Sequence, residues 1–342
     1  MTEYDSLSQA QWLELATAYA EHLTQVIESL TPQEWEQRTQ YMGWTARQLL
    51  AHMASAVPLN FMETLNRALV NDPTPLHELD AFARNAIAVY ARRIFSVPVL
   101  IDEFKSMAAN FLAVYRKMDD ADWLKPAWFF VGRVNVRSLL LLVLGDVMMH
   151  ERDLRIVKGT WRGFDPDFTG PVVDWNMMEQ RPIGFRPERA GDLRASILYR
   201  LSGAAGGAWT LHIENGTCTS QRGSVANPDV TIEASADDMF AVGQARTSPF
   251  FGSLARAFSW VRGPLHGEDV TALITGYISL GLAVKLQKRI RVSGNQAIAN
   301  KANDCFWHFW EREPQAEYNI LHDPAFLQKQ EQATAWQNVV PQ

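Results

Sequence analysis

The chain of 342 residues contains only two cysteines, Cys218 and Cys305, and neither belongs to a CxxC pair. A disulfide framework and a cysteine-ligated zinc site are therefore not expected, and a reducing cytoplasm fits this usage best. Long apolar runs are also absent, because SLLLLVLG is too short to cross a membrane and is soon followed by charges. The N-terminal residues show no basic segment followed by an apolar one, so no signal peptide is expected.

A surplus of positive charge is lacking as well. The chain has 32 basic and 38 acidic residues, a formal net charge of −6, and no block of like charge. This balance argues against nucleic-acid binding and against a polybasic membrane anchor. With 47% hydrophobic residues and this length, we expect a globular protein of two or three domains.

Familiar catalytic motifs are missing too. The sequence has no P-loop, no GxGxxG, no HExxH and no repeat of fixed period. Any chemistry must therefore come from residues that are brought together by the fold.

The first half of the chain has the pattern of a helical bundle. Capping-box signals at Ser8–Gln11 and Thr45–Gln48 predict two helix starts. Further helices are predicted after Thr31, over 79–94, from Pro98, and from Asn135 to a C-cap at Gly159. Four main helices with short connections predict an antiparallel bundle, in which sites form between facing helices.

The second half mixes strand and helix patterns. Residues 160–190 are rich in Pro, Gly and aromatic residues and predict a short helix near 167–180, followed by a domain junction. AWTLHIENG and PDVTIEAS alternate as strands do, the first ending in an Asn-Gly turn signal. SADDMFAVGQ predicts a helix capped by Ser235 or Asp237, and CFWHFWERE predicts a late helical piece. This mixture is typical of an α+β domain.

The stretch LGDVMMHERDLR places Asp146, His150 and Asp153 on one side of a predicted core helix. His52 interrupts a similar apolar stripe on another helix. Two imidazoles and a carboxylate on facing helices can hold zinc and leave a position open, and nickel, iron or manganese also suit these ligand types. The alternative is a set of core polar residues, with Asp146 and His150 as an ion pair and Asp153 as a cap or as the partner of an arginine such as Arg155.

GWTARQLLAHMA (43–54) and GDVMMHERDLR (145–155) resemble the N-terminal domain of the mycothiol-dependent maleylpyruvate isomerase family, within the DinB/YfiT-like metal-binding four-helix bundles. The matching positions are Trp44, Thr45, His52, Asp146, His150 and Asp153. The family usually has Glu where this chain has Asp146, which is one methylene shorter. Residues 209–245, with AWTLHIENG, PDVTI and SADDMFAVGQA, resemble the sterol carrier protein-2 fold, and this order of domains occurs in the same family.

The resemblance implies a DinB-like bundle over 1–183 and a sterol carrier protein-2-like α+β domain over 184–292. It does not explain the residues that follow, for which we expect a helical or irregular extension over 293–342. It implies a divalent metal, zinc first, on His52, Asp146 and His150, with Asp153 in support. A low-molecular-weight thiol, mycothiol or another, would bind the metal as thiolate. That thiolate would add to an activated alkene, and rotation and elimination would give the other isomer, or the thiol would be transferred to an electrophile. Arg84 and Arg222 would then bind a substrate carboxylate, and neither cysteine is needed.

Two other functions remain open from the sequence. The second half could carry a lipid or acyl chain, with Phe250, Phe251, Phe258 and Trp260 lining a tunnel and the bundle serving as scaffold. Alternatively, the bundle could use a metal-bound water for hydrolysis. Metal content separates the carrier from the enzymes, and dependence on a thiol separates the isomerase or transferase from the hydrolase.

Overall fold

A computed structural model describes residues 7–41, 44–72, 81–129, 132–243 and 289–306. Its first part is helical and its second part contains a sheet, as expected from the sequence. The helices of the first part are α1 (Gln9–Glu28), α2 (Pro32–Trp35), α3 (Ala46–Ala56, continued as a π-helix over Val57–Met62), α4 (Glu63–Leu69), α5 (Ala81–Ala91), α6 (Val97–Tyr115), α7 (Asp120–Leu124) and α8 (Val136–Val157).

Four long helices form the core of this part. Helix α1 packs against α6 and α8, and α3 packs against the same two helices, so the four close a ring around a shared apolar interior. The capping boxes predicted at Ser8 and Thr45 are confirmed, since each side chain accepts a hydrogen bond from the backbone of the third helical residue. The predicted end at Gly159 is also confirmed, because this glycine has a φ of +71° just past α8.

A two-stranded hairpin precedes α8 and was not predicted. Strands β1 (Pro126–Phe129) and β2 (Gly132–Asn135) pair antiparallel, and Asn135 then caps α8 by accepting from the backbone N–H of Ser138. Each strand has only four residues, too few for the alternation that identifies longer strands in a sequence. Their effect is to fix where α8 begins.

The second part begins with α9 (Pro166–Trp175, continued as a π-helix over Asn176–Gln180), α10 (Arg181–Ile183) and α11 (Pro187–Ala190). A five-stranded sheet follows, in the order β5-β4-β3-β6-β7. Its elements are β3 (Ala195–Ser202), β4 (Gly207–Glu214), β5 (Thr217–Arg222), β6 (Val230–Ser235), α12 (Ala236–Gly243), β7 (Arg291–Gly294) and α13 (Gln296–Asp304).

The two predicted strands are β4 and β6, and the helix predicted after Ser235 is α12. The Asn-Gly turn is present, with positive φ at both Asn215 and Gly216. Strand β3 was not predicted from the sequence. It lies at the centre of the sheet and pairs antiparallel with β4 but parallel with β6.

The domain limits remain predictions, although β7 spans the predicted limit at 292/293 and α13 packs on the sheet beyond it. Most of CFWHFWERE lies outside the described residues, as do Phe250, Phe251, Phe258 and Trp260.

Candidate metal centre

Helix α3 positions His52 in the interior. Thr45 caps the helix, and Leu49, Met53 and Ala56 place an apolar stripe against the other helices. His52 lies on that buried side, with 2% of its surface exposed. An imidazole in such a position needs a polar or metal partner to offset the loss of water.

Helix α8 supplies Asp146 and His150, one turn apart. His150 is completely buried, whereas the side chain of Asp146 is 33% exposed. The carboxylate therefore lies on the side of the pair that is open to solvent, and the imidazole lies on the side that is closed. The sequence pattern predicts that Asp146 faces inward, and the structure places its side chain at the edge of the core instead.

The three side chains converge. His52, Asp146 and His150 each offer one donor atom, and these atoms all lie within 4.8 Å of one another. His150 Nε2 is 3.5 Å from Asp146 Oδ1. Two ligands of a tetrahedral zinc ion lie about 3.3–3.6 Å apart when the bonds are about 2.0–2.2 Å long. The donor set, with two nitrogens and one oxygen, thus fits a single divalent ion with small adjustments, and three protein ligands are the number found in catalytic zinc sites.

Asp153 lies behind His150. Its Oδ2 is 3.6 Å from His150 Nδ1, and both side chains are fully buried. A carboxylate at this place favours the tautomer with the proton on Nδ1 and leaves Nε2 for a metal. The alternative was that Asp153 pairs with an arginine such as Arg155. Arg155 donates to Glu151 at 2.5 Å, and it is Arg152 whose Nη1 lies 3.9 Å from Asp153 Oδ1.

An aromatic wall borders the two histidines. The ring centroid of Tyr41 is 5.5 Å from that of His52 and 4.9 Å from that of His150. The ring centroid of Trp44 is 5.3 Å from that of His52. Tyr41 was missed in the sequence because it precedes the recognised motif. It restricts access of water to the histidines and leaves Asp146 as the more open side.

The two arginines of the sequence hypothesis are in different situations. Arg84 lies in α5, and its side chain is outside the described part of the structure. Arg222 ends β5 and donates through Nε to Asp174 Oδ1 at 2.8 Å, with a second contact from its terminal nitrogen to Oδ2. Trp209 Nε1 donates to the same Oδ1 at 2.9 Å. Arg222 is therefore held by a buried carboxylate, and its role toward a substrate stays a prediction.

Neither cysteine has the properties of a nucleophile. Burial raises the pKa of the Cys218 thiol to about 12, and burial also raises the pKa of Cys305. Both are therefore protonated at neutral pH. This agrees with the expectation that neither takes part in the chemistry.

A second polar network on α8 was not foreseen. Glu151 accepts from Tyr19 Oη at 2.6 Å and from Arg155, and its Oε1 is 2.9 Å from His22 Nε2. Burial, followed by the charge of Glu151, raises the pKa of Tyr19 well above its usual value. The signal was present in the sequence as HERD, an unbroken polar run in an apolar helix.

The first part of the chain is similar to a known protein family. Residues 16–155 match the family described as "Mycothiol maleylpyruvate isomerase N-terminal domain". Two crystal structures of the mycothiol-dependent maleylpyruvate isomerase, one unsubstituted and one a mutant, are similar to the chain. The unsubstituted enzyme is 16% identical, with a TM-score of 0.50, and the match covers 71% of this chain and 92% of that one. The mutant is 15% identical, with a TM-score of 0.50, over 72% and 92% respectively.

The search of curated proteins finds no match. Within the described residues, no helix is both long and apolar enough to span a membrane. At these identities the structural likeness establishes a shared fold, a helical first part followed by a part with a sheet. The family match and this likeness agree with each other: residues 16–155 are similar to the mycothiol maleylpyruvate isomerase N-terminal domain, and the chain shares its fold with the enzyme of known structure.

Proposed function

We propose that this chain is a metal-dependent enzyme that acts on a small electrophilic substrate with the help of a low-molecular-weight thiol. The thiol would either catalyse isomerisation of the substrate or be transferred to it. The observation that carries the proposal is the convergence of His52, Asp146 and His150 from two packed helices. Two of these side chains are buried and the third is open to solvent, an arrangement that suits a catalytic ion with one exchangeable position.

Zinc is the first choice of metal because it accepts two imidazoles and a carboxylate in tetrahedral geometry. A divalent ion held here would lower the pKa of a thiol bound to it, so that the thiolate is present at neutral pH. The residues of the chain would do the rest: Asp153 would hold the proton on His150 Nδ1, and Tyr41 and Trp44 would keep water from the histidines.

The thiol would come from outside the chain. The raised pKa of Cys218 and of Cys305 removes both as sources of a thiolate at neutral pH. The similar enzymes of known structure are named for mycothiol and for maleylpyruvate, so this thiol and this cis-alkene acid are the first co-substrate and substrate to test.

Arg84 and Arg222 are proposed to bind a substrate carboxylate, since a guanidinium can hold a carboxylate through two parallel hydrogen bonds. For Arg222 this requires an exchange of partner, because Asp174 holds it in the described state. Arg222→Lys keeps the charge but loses the two-pronged geometry. It should therefore raise KM for an acidic substrate more than for its neutral ester.

We also propose the DinB-like bundle and the sterol carrier protein-2-like domain as the finer description of the fold. The packing of α1, α3, α6 and α8 around one interior supports the bundle. The succession of β4, β6 and α12, with both strands in one sheet, supports the carrier-like domain.

The test is turnover by the purified, zinc-loaded full chain with and without thiol. Maleylpyruvate is supplied with mycothiol, bacillithiol or glutathione in separate reactions, and the cis and trans acids and any thioether are separated by chromatography. His150→Ala is the inactive variant, and His212→Ala, on β4 and outside the cluster, is its matched control. We expect product only with thiol and only in the wild type and the control.

Two other outcomes would each indicate a different class of protein. Turnover that persists after complete removal of small thiols, with hydrolysed product, would indicate the hydrolase. Absence of turnover and of metal, together with saturable binding of a fatty acid, would indicate the carrier.

A further inference from the structure

A buried arginine joins the metal centre to the second part of the chain. Arg152 lies on α8 between His150 and the end of the helix, and its side chain is only 3% exposed. A buried guanidinium is stable only when its charge and its donors are satisfied. Its partners therefore show what it connects.

The first partner comes from the sheet-containing part. Arg152 Nε donates to Asp237 Oδ1 at 2.5 Å, and Asp237 lies in the first turn of α12. The other carboxylate oxygen, Oδ2, accepts from Trp161 Nε1 at 3.0 Å. Two donors thus fix Asp237 at both of its oxygens, so this residue and the guanidinium hold each other in one orientation.

The other partners belong to the metal centre. Arg152 Nη1 donates to Gln40 Oε1 at 2.8 Å, and Gln40 is next to Tyr41, whose ring contacts both histidines. The same Nη1 is 3.9 Å from Oδ1 of Asp153, the carboxylate behind His150. Arg152 therefore contacts Asp153, which lies against His150, as well as Gln40, which precedes Tyr41, and Asp237 of α12.

We propose that Asp237 is a positioning residue for the metal centre, acting through Arg152. When Asp237 holds the guanidinium, Asp153 remains directed at His150 Nδ1. Without the charge of Asp237, the positive charge of Arg152 is balanced by Asp153 alone. Asp153 is then drawn toward the arginine and becomes a weaker acceptor for His150. The second part of the chain thereby tunes the affinity of a centre whose three ligands all lie in the first part.

This inference rests on the proposed function, since it presumes that the cluster binds a metal. The experiment measures the Zn²⁺ affinity of the full chain by competition with a chromophoric chelator, for the wild type, Asp237→Asn and Asp238→Asn. Asp238→Asn removes the same charge one residue along α12. Among the residues that the structure describes, Asp238 contacts Ser235 and Arg289, and the partner of Arg152 is Asp237.

We expect Asp237→Asn to weaken zinc binding by about three- to tenfold, less than the roughly 10–100-fold typical of groups that contact a ligand directly. Asp238→Asn should stay within about twofold of the wild type, because it leaves Arg152 held. The visible spectrum of the Co²⁺-loaded protein should shift in Asp237→Asn and not in Asp238→Asn, which a general loss of stability would not produce.

A double variant tests the route through the arginine. In an Arg152→Gln background, the further change Asp237→Asn should alter zinc affinity by less than about twofold, since the coupled partner is gone. If Arg152→Gln does not fold, Trp161→Phe replaces it. This variant frees Oδ2 of Asp237 without changing any charge, and it should weaken zinc binding in the same direction.

Equal affinities for Asp237→Asn and Asp238→Asn would overturn the inference, as would a full effect of Asp237→Asn in the Arg152→Gln background. An unchanged affinity in Trp161→Phe, where that variant is the one used, would overturn it too. Failure of the proposed function is distinguishable, because the wild type itself would then bind no zinc.

Discussion

His150 and Asp153 are neighbours three residues apart on the buried side of α8. Nδ1 of the imidazole is 3.6 Å from Oδ2 of the carboxylate, and neither side chain is exposed to solvent. This pairing, which leaves Nε2 beside Asp146, is the arrangement by which proteins prepare a histidine for a metal. It predicts that Asp153→Asn weakens zinc binding by about 10–100-fold while the three ligands stay in place.

The measurement is chelator competition on the wild type and Asp153→Asn. Asp167→Asn, on α9, is the control for the loss of one carboxylate. Equal zinc affinities for wild type and Asp153→Asn would show that Asp153 is only a structural residue of the core.

Asp146 is predicted to be the ligand at the open side of the centre. Asp146→Asn keeps the shape but removes the charge, so zinc affinity should fall by at least about 100-fold, more than for a residue that only supports a ligand. Asp146→Glu, which introduces a longer acid with the same charge, should retain one zinc ion per chain with a changed Co²⁺ spectrum. Retention of wild-type affinity in Asp146→Asn would remove this residue from the ligand set.

The cysteines are predicted to be inert in the folded protein. With a pKa of about 12, about one Cys218 thiol in 10,000 is ionised at pH 8, so alkylation by iodoacetamide should be far slower than in the unfolded chain. Mass spectrometry of native and urea-unfolded protein gives the two rates. Cys218→Ser should also leave thiol-dependent turnover within about twofold of the wild type. Rapid alkylation of native protein at pH 8 with loss of turnover would contradict this.

Asp229 is predicted to make stability depend on pH. Its carboxylate accepts from the backbone N–H and the hydroxyl of Ser196, both at 2.8 Å, and these hydrogen bonds lower its pKa. A lowered pKa stabilises the fold above the pKa of the unfolded chain, about 3.9, and this contribution is lost as the pH falls through the lower folded value.

Because Asp229 is exposed and solvent screens its charge, Asp229→Asn should reduce the free energy of unfolding by only a few tenths of a kcal/mol at pH 7, on the order of 0.3, and the difference from wild type should shrink toward pH 2. Urea unfolding at both values of pH measures this. Asp192→Asn, an exposed acid in the turn before β3, serves as the control. A difference that stays constant between pH 7 and pH 2 would contradict the account.

The helical half could be predicted from local signals, because Thr45 with Gln48 and Asn135 with Gly159 mark helix ends whatever the rest of the chain does. The metal candidates came from two signals. His52 and Asp146 interrupt apolar stripes, where an unpaired polar group is costly, and the segments around them resemble a family of metal-binding bundles.

What was missed depends on contacts between distant segments. Strand β3 gains its place from parallel pairing with β6, which is more than 25 residues away along the chain. The role of Arg152 depends on Asp237, and the place of Tyr41 against the histidines depends on how the segment before α3 folds back. Periodicity reports the face of an element and carries no information about such partners.

The central claim is that His52, Asp146 and His150 together hold one divalent metal ion. Elemental analysis after loading with zinc and removal of free metal tests it most directly, on wild type, His52→Ala, His150→Ala and the control His212→Ala. We predict about one zinc ion per chain in the wild type and the control, and less than about a tenth of that in the other two. A wild type without zinc, or the same zinc content in all four proteins, would contradict the account.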